Sequence, residues 1–492
     1  MKLVTAIEYM NAAAPHINPA LEDRQIESVV VDSREVGAGD VFFALSQPDY
    51  SNNGFNGEFE DATQYVPKAF EKGAIACVVR EDRFWEHQAI LESFADNILL
   101  VPDPIKALQD LARGVYQDWG GPVVAITGSA GKTTAKELTA HVLEGSGLKV
   151  LKNKKNYNNG LGHPLTVLEL SKDDSYDIAV LEMGMSTPMR EISRLCSITE
   201  PDIAVVLNVL PVHVEHLGSI DNIARAKAEI VEGMKKGGTA VLNADDPRVA
   251  DMRRLVDGNV VTFGLEAAAD VTARNIVTKS FGETRFDLIT PGGAAPAVLH
   301  LDGKHNVMNA LASAAVAWVR GVSAVETART LSSALPPPQR GEVLRFREGF
   351  TVVNDSYNSN PTALISMVRT IVEGGGGLRR RIVAAGEMLE LGGEAPALHR
   401  EAGRQIALQP IDRLIGIRGL AMELVEGARE AGLADAVFVE NSDGAADLLM
   451  QDLREGDILL VKGSRGVRTE RIVEKLMEKF QLESENDGPR TN

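Results

Sequence analysis

The run Thr127-Gly128-Ser129-Ala130-Gly131-Lys132-Thr133-Thr134 lies between an apolar stretch, PVVAIT (122–127), and a helix-forming one, KELTAHVLEG. Its glycines let the backbone curl so that successive N–H groups point inward at phosphate oxygens. The start of the following helix adds the positive end of its dipole. Lys132 can carry a full charge to the β- and γ-phosphates of ATP, and the Thr133 hydroxyl can ligate Mg²⁺. The strict phosphate-loop pattern needs a further glycine where this chain has Ile126, so the loop is a TGxxGKT variant.

Other groups fall at the ends of apolar runs. Glu182 closes DIAVLE, and a carboxylate at the carboxyl end of a parallel strand, beside a phosphate loop, is a natural Mg²⁺ ligand. His213 follows a third such run in VLPVHVEHLGS, where a second metal site or a substrate contact competes with a structural role. His216 is the weaker candidate of the two. Lys227 sits in the helical stretch IDNIARAKAEIVEGM, and its spacing alone does not distinguish it from a solvated lysine. Asn306 and Asn309 lie one turn apart near a helix start. They offer the donor–acceptor pair an adenine edge needs, while helix capping by Asn306 is the equal alternative. Arg340 follows a proline run and Asp355 ends a strand, so both could reach a nucleotide held between domains. Lys462-Gly463-Ser464-Arg465-Gly466 stands between an apolar run and a helix and reads as a second anion cradle, suited to a substrate carboxylate.

These groups need a scaffold of a definite kind. With 492 residues, the chain is too long for one core, and about three domains are expected. Residues 1–118 read as a mixed α/β domain. Its strands are SVVVDS (28–33), DVFFAL (40–45) and AIACVV (74–79), it has a surface loop over 46–61, and it ends in a helix over 104–119. Residues 119–335 carry PVVAIT, DIAVLEMG, DIAVVLNV and GTAVLNADD, each apolar on nearly every position. Strands buried on both faces look like this, which predicts a mostly parallel sheet with helices on both sides. A small antiparallel excursion is expected over 270–300 and an Ala-rich helix over 305–320. Leu335-Pro336-Pro337-Pro338 cannot continue a helix and marks a linker. Residues 336–482 alternate strands and helices again, as a Rossmann-like open sheet. No GxGxxG follows its first strand, so a dinucleotide is not indicated. The polar tail 483–492 reads as disordered.

Net charge is −18, and the composition is that of a globular protein, with 44% hydrophobic residues. The acidic balance argues against a nucleic-acid partner. No apolar run reaches the length of a membrane span or a signal peptide, so no membrane insertion and a cytoplasmic location are expected. Cys77 and Cys196 are far apart and lie beside apolar residues, as buried free thiols would.

In their order along the chain, DSREVGAGDVFFAL, TGSAGKTT, LEMG, NVLPVH, AKAEIVEG, VLNADDP and GKHNVMNALASAA resemble the Mur ligases, the ATP-dependent amide-forming enzymes of bacterial cell-wall precursor synthesis. NDSYNSNP (354–361) and LLVKGSRGVRTERIV (459–473) resemble the member that joins D-alanyl-D-alanine to UDP-MurNAc-tripeptide; the DNPR-type motif of the diamino-acid-adding relative is absent. The resemblance implies ATP on the loop amides and Lys132, and Mg²⁺ on Thr133 and Glu182, with His213 at a second metal. It implies a carbamylated lysine at Lys227, adenine contacts from Asn306 and Asn309, ribose contacts from Arg340 and Asp355, and Tyr357 near the base. Ser33 and Arg34 would meet the UDP end. Asn158 and Asn159 would lie near the peptide, and Asn358, Lys462, Ser464 and Arg465 would contribute to substrate binding by an enzyme acting as a monomer. Three segments depart from the family pattern. The 46–61 segment is longer and richer in Asn, KNKKNYNN (152–159) replaces a Thr/Gly-rich lead-in, and Gly386-Glu387-Met388 stands for Gly-Asp-Met. Alternatives are another ligase with this core, such as a folylpolyglutamate synthase, a phosphate-loop kinase, or a nucleotide-binding protein without catalysis.

Overall fold

The computed structural model describes residues 1–14, 17–55, 57–154, 156–185, 190–211, 217–280, 282–374 and 380–483. It is an α/β protein built on four sheets. The first is wholly parallel, in the order β1 (Val29–Val30), β2 (Val41–Ala44), β3 (Ala76–Arg80), β4 (Ile98–Val101). The expected strand over 28–33 shortens to two residues because the Asp32 carboxylate accepts from the Arg34 N–H at 2.9 Å and turns the chain.

The segment 46–61 is not simply a loop. Residues Gln47–Asn52 form a helix. Asp49 Oδ2 accepts from both the N–H and the hydroxyl of Ser46 at 2.6 Å, and Pro48 suits the first turn. Tyr50 then stacks on Phe59 with ring centroids 3.7 Å apart. Polar composition conceals a helix start made from such capping residues.

The central sheet has six parallel strands: β5 (Val123–Thr127), β6 (Val150–Lys152), β7 (Ile178–Glu182), β8 (Ile203–Val206), β9 (Thr239–Asn243) and β10 (Asn259–Phe263), in the order β10-β9-β8-β5-β7-β6. Val123 and Ala125 join one apolar cluster while Val124 and Ile126 join the opposite one, as a strand covered on both faces requires. Helix α1 (Pro104–Trp119) contributes to a cluster that runs without a break from Leu3 and Phe43 to Leu181 and Ala204, so the first sheet and one face of the central sheet share a core. An antiparallel sheet of β11 (Thr272–Ser280), β12 (Glu283–Thr290) and β13 (Gly293–Leu299) forms the expected excursion. The other face of the central sheet is covered by α2 (Lys132–Gly145) and α5 (Lys304–Val319), whose buried alanines allow close approach. Between these helices in sequence come α3 (Glu191–Ile198) and α4 (Ile220–Glu232).

The fourth sheet comprises β14 (Glu342–Arg345), β15 (Thr351–Asp355), β16 (Arg380–Gly386), β17 (Arg413–Ile417), β18 (Ala436–Val439) and β19 (Asp457–Lys462), ordered β14-β15-β19-β16-β17-β18. All pairs are parallel except the edge pair β14–β15, an addition the alternating pattern did not reveal. Helix α6 (Pro361–Glu373) follows β15. Both cysteines are buried and free. Among the described residues, no helix is long and apolar enough to cross a membrane.

Candidate functional site

In the central sheet the chain runs from β5 out to β6, back to β7, and then across β5 to β8, so the order reverses beside β5 and a crevice opens at the carboxyl ends of these strands. A cavity of about 560 Å³ lies there, closed on its far side by residues of the fourth sheet's unit. That volume suits a nucleotide-sized ligand.

The glycine-rich loop forms one wall. Gly131 sits at φ 84°, and a Cβ on it would lie 2.5 Å from Oδ1 of Asn309, so both turn and space demand glycine here. Helix α2 begins at Gly131 with no side-chain cap, and α3 and α5 likewise lack one. An uncapped first turn leaves N–H groups for an anion. Asn208 braces the loop: its Oδ1 accepts from the Ala130 N–H at 2.9 Å and its Nδ2 donates to the Ala130 carbonyl at 3.0 Å. Ser129 Oγ donates to the Leu210 carbonyl at 3.1 Å, and Thr127 Oγ1 donates to that of Met183 at 2.9 Å. Thr134 is buried, and Lys132 Nζ donates to the Gly128 carbonyl at 2.8 Å. Burial pulls the Lys132 ammonium below its usual pKa; Glu182 opposes that shift and Arg340 adds to it.

Glu182 ends β7 opposite the loop and is 4% exposed. Its Oε2 accepts from the Thr133 hydroxyl at 2.8 Å and its Oε1 from Asn158 Nδ2 at 2.7 Å. These are neutral donors, and among the described residues no cation pairs with it within ion-pair distance. A buried carboxylate held by neutral donors, with Lys132 and Lys227 near enough to feel its charge, suits a site for a cation and phosphate. The described residues contain no group of three or more His, Cys, Asp or Glu suited to hold a metal. Mg²⁺ does not require one, since it takes one or two carboxylates and keeps water and phosphate oxygens as its other ligands. His213 and His216 lie outside the described residues.

Lys227 is 1% exposed on α4. Burial, and then the nearby Lys132 charge, push its amine well below the ordinary lysine range against the pull of Glu191, Glu182 and Glu229. Periodicity gave no hint of this. Asn306 and Asn309 are buried and line the cavity. Asn306 does not cap the helix: Gly303 occupies that place, and Asn306 Nδ2 donates back to the Asp302 carbonyl at 2.8 Å. Arg340, Asp355, Tyr357 and Asn358 line the same cavity from across it. The guanidiniums of Arg340 and Arg465 lie 4.0 and 5.1 Å from the Tyr357 ring centroid.

The second anion cradle differs from its expected form. Lys462 Nζ is taken by Asp355 Oδ2 at 2.6 Å and by the Asn358 carbonyl at 2.9 Å. Ser464 Oγ accepts from the Leu389 N–H at 3.0 Å. The next α-helix begins only at Glu470, behind a 3₁₀ turn at Arg465–Val467. Parallel pairing of β15 with β19 sets Asp355 opposite Lys462, which is why the two neutralise each other. Asn159 lines the cavity and uses its Oδ1 to accept from the Leu161 and Gly162 N–H groups. Ser33 and Arg34 lie away from this cavity on the first sheet's unit, where Arg34 Nη2 pairs with Asp32 at 2.6 Å. The sequence reading missed Asn208, Asn156, Glu191 and His305, which also line the cavity. NVL at the end of β8 was the available signal for Asn208.

A phosphate loop at the switch point of a parallel sheet, with a cation-hungry carboxylate beside it and a second open-sheet unit across the cavity, defines an enzyme of nucleotide-dependent group transfer. Residues 126–317 match the Mur ligase middle domain, and residues 339–465 match the Mur ligase glutamate ligase domain. The UDP-N-acetylmuramoyl-tripeptide–D-alanyl-D-alanine ligase of Bacillus subtilis is 32% identical over 463 residues, covering 94% of this chain and 95% of the relative. The crystal structure of MurF from Acinetobacter baumannii superposes with a TM-score of 0.82 at 27% identity, covering 97% of this chain and 98% of that one. That of the MurF ligase from Thermotoga maritima in complex with ADP gives 0.77 at 28% identity, covering 92% and 97%. The chain belongs to the Mur ligase family and, within it, to the group of the UDP-N-acetylmuramoyl-tripeptide–D-alanyl-D-alanine ligases.

Proposed function

We propose that this ligase joins D-alanyl-D-alanine to UDP-N-acetylmuramoyl-tripeptide at the expense of ATP, in the cytoplasm, as a step of peptidoglycan precursor synthesis. The observation that carries the reading is the meeting of Thr133 and Glu182 at an uncapped helix start, facing Arg340, Asp355 and Tyr357 of the other unit across one cavity. The complex of the Thermotoga maritima relative with ADP supports nucleotide binding by this chain as well.

The terminal carboxylate of the tripeptide attacks the γ-phosphorus, and ADP leaves. The amine of D-alanyl-D-alanine attacks the acyl carbon, loses a proton, and phosphate departs as the amide forms. Lys132 and the first N–H groups of α2 hold and neutralise the phosphates, and Asn309 and Asn306 flank the loop from α5. Thr133 and Glu182 would hold Mg²⁺, which supplies charge neutralisation to the transferring phosphoryl group. Arg340 and Tyr357 pack as a cation–π pair and give a flat wall for base or ribose. Arg465, beside that ring, is the cation suited to the dipeptide carboxylate, because Lys462 is already neutralised. Asn158 and Asn159 border the side on which the tripeptide carboxylate must enter. Three units, 1–118 for the nucleotide-sugar, 119–335 for ATP and 336–482 for the amino component, suit a reaction that must exclude water from an acyl phosphate.

Phosphate release tests the reading. It should require both UDP-N-acetylmuramoyl-tripeptide and D-alanyl-D-alanine, and Lys132→Ala should abolish it. Release with neither substrate, or with the tripeptide alone, refutes it. A phosphorylated product without amide formation would favour a kinase.

A further inference from the structure

Strand β6 stops at Lys152, which pairs with Val180, so it falls short of the end of β7 where Glu182 stands. Asn153 fills the gap with its side chain. Its Oδ1 accepts from the Glu182 N–H at 2.6 Å, and its Nδ2 donates to the Glu182 carbonyl at 3.2 Å and to the Tyr157 carbonyl at 2.8 Å. One carboxamide thereby supplies the donor and the acceptor that a continuing strand would have supplied from its backbone. Asn153 is 2% exposed, so none of these bonds can be exchanged readily for water.

The main chain of Asn153 is fixed in turn. Its carbonyl accepts from Lys136 Nζ at 2.6 Å. Lys136 lies one turn beyond Lys132 on α2, is almost fully buried, and pairs with Glu137 Oε1 at 2.9 Å. The other Glu137 oxygen takes Lys152 Nζ at 2.8 Å. The helix that begins at the phosphate loop is therefore tied through Lys136 and Asn153 to the strand that carries the carboxylate. By gripping Tyr157, Asn153 also sets Asn158, which donates to Glu182 Oε1.

We propose that Asn153, anchored by Lys136, is a positioning residue that aims the Glu182 carboxylate at the cation beside the phosphate loop. The inference rests on the reading of Glu182 as a metal ligand. Groups that orient a metal ligand typically contribute ten- to a hundredfold to metal affinity. A group that only staples a loop contributes to melting temperature and leaves metal affinity alone.

Mn²⁺ serves as a paramagnetic probe of a carboxylate–phosphate site. Its dissociation constant with saturating ADP, read by electron paramagnetic resonance, should weaken about tenfold or more in Asn153→Ala and in Lys136→Met. ADP affinity in chelator should stay within about twofold, and the KM for Mg²⁺ should rise with the Mn²⁺ constant. Asn153→Ser, which keeps an oxygen able to accept from the Glu182 N–H, should fall between wild type and Asn153→Ala, and it replaces the alanine variant if that does not fold. Wild-type Mn²⁺ affinity in a folded but less stable Asn153→Ala or Asn153→Ser protein overturns the proposal. Glu182→Gln separates the two readings. Loss of Mn²⁺ affinity there with retention in the Asn153 variants sinks only this inference, whereas retention in Glu182→Gln sinks the metal reading beneath it.

Discussion

The Thr133 hydroxyl donates to Oε2 of Glu182 at 2.8 Å, joining the first turn of the phosphate-loop helix to the end of a neighbouring strand. A hydroxyl and a carboxylate brought together this way would supply half of the proposed hard-cation site, with the phosphates as the other half. Glu182→Gln keeps the shape and removes the charge. Amide formation should fall by on the order of a hundred- to a thousandfold, the loss seen when one preorganised electrostatic partner is removed. Calorimetric ADP affinity measured in chelator should not fall. If the variant retains a tenth of the wild-type rate, Glu182 is not the cation's carboxylate.

Gly131 combines a left-handed turn with a close approach to Asn309. Gly131→Ala should lower stability by about 1–2 kcal/mol for the backbone alone and also push Asn309 away from the loop. Gly147, at φ 93° with nothing within 4 Å of an added Cβ, provides the control. Gly147→Ala should show a similar fall in melting temperature and leave the KM for ATP unchanged, while Gly131→Ala raises that KM severalfold. Equal KM values in the two variants would mean that strain, not the approach to Asn309, sets the cost at Gly131.

What the sequence made legible follows physical range. The phosphate loop was readable because its chemistry is written in consecutive residues. Strands β5, β7, β8 and β9 of the central sheet and β15 to β19 of the fourth were readable because burial leaves nearly unbroken apolar runs, as in β5 and β7, whereas β6, β10 and β14 were not read. Asn153 was not readable, because its role depends on where β6 stops relative to β7, a matter of register between segments far apart in sequence. The pairing of Lys462 with Asp355 depends likewise on β19 lying beside β15. The helix over Gln47–Asn52 was hidden because Ser, Asp, Asn and Pro serve turns and helix starts alike.

Lys227 supplies a prediction about chemical state. Burial and the Lys132 charge favour its neutral amine, which is the form that adds carbon dioxide to give a carbamate. The adduct would put a carboxylate-like anion within electrostatic reach of Glu182, the carboxylate proposed to hold Mg²⁺. Protein incubated with ¹³C-bicarbonate should show a carbamate carbon resonance that is absent from Lys227→Arg. Added bicarbonate should raise activity in carbon-dioxide-depleted buffer, more at pH 8 than at pH 6.5. Lys227→Ala should lose on the order of a hundredfold in rate. An unchanged carbon spectrum in Lys227→Arg would assign the signal elsewhere.

Asp302 places a titration where the antiparallel sheet meets the fourth sheet's unit. Its Oδ2 accepts from the Gly282 N–H at 2.6 Å, while its Oδ1 is buried with no hydrogen-bond partner among the described residues. Burial raises its pKa from 3.8 to about 6, against the Gly282 N–H and the Arg345 charge. The folded state therefore holds this proton more tightly than the unfolded state does. Its contribution is fully favourable below about pH 4 and declines as pH rises toward 6; above that the buried carboxylate is a standing cost. The shift corresponds to roughly 3 kcal/mol at most, at about 1.4 kcal/mol per pH unit. Asp302→Asn cannot titrate. The unfolding free energy of wild type minus that of Asp302→Asn should move in the wild type's favour by up to that amount between pH 7.5 and 4.5, because other titrating groups cancel in the difference. Denaturant titrations of both proteins at several pH values measure it, and a difference that stays flat across this window would mean that Asp302 remains ionised where it is buried.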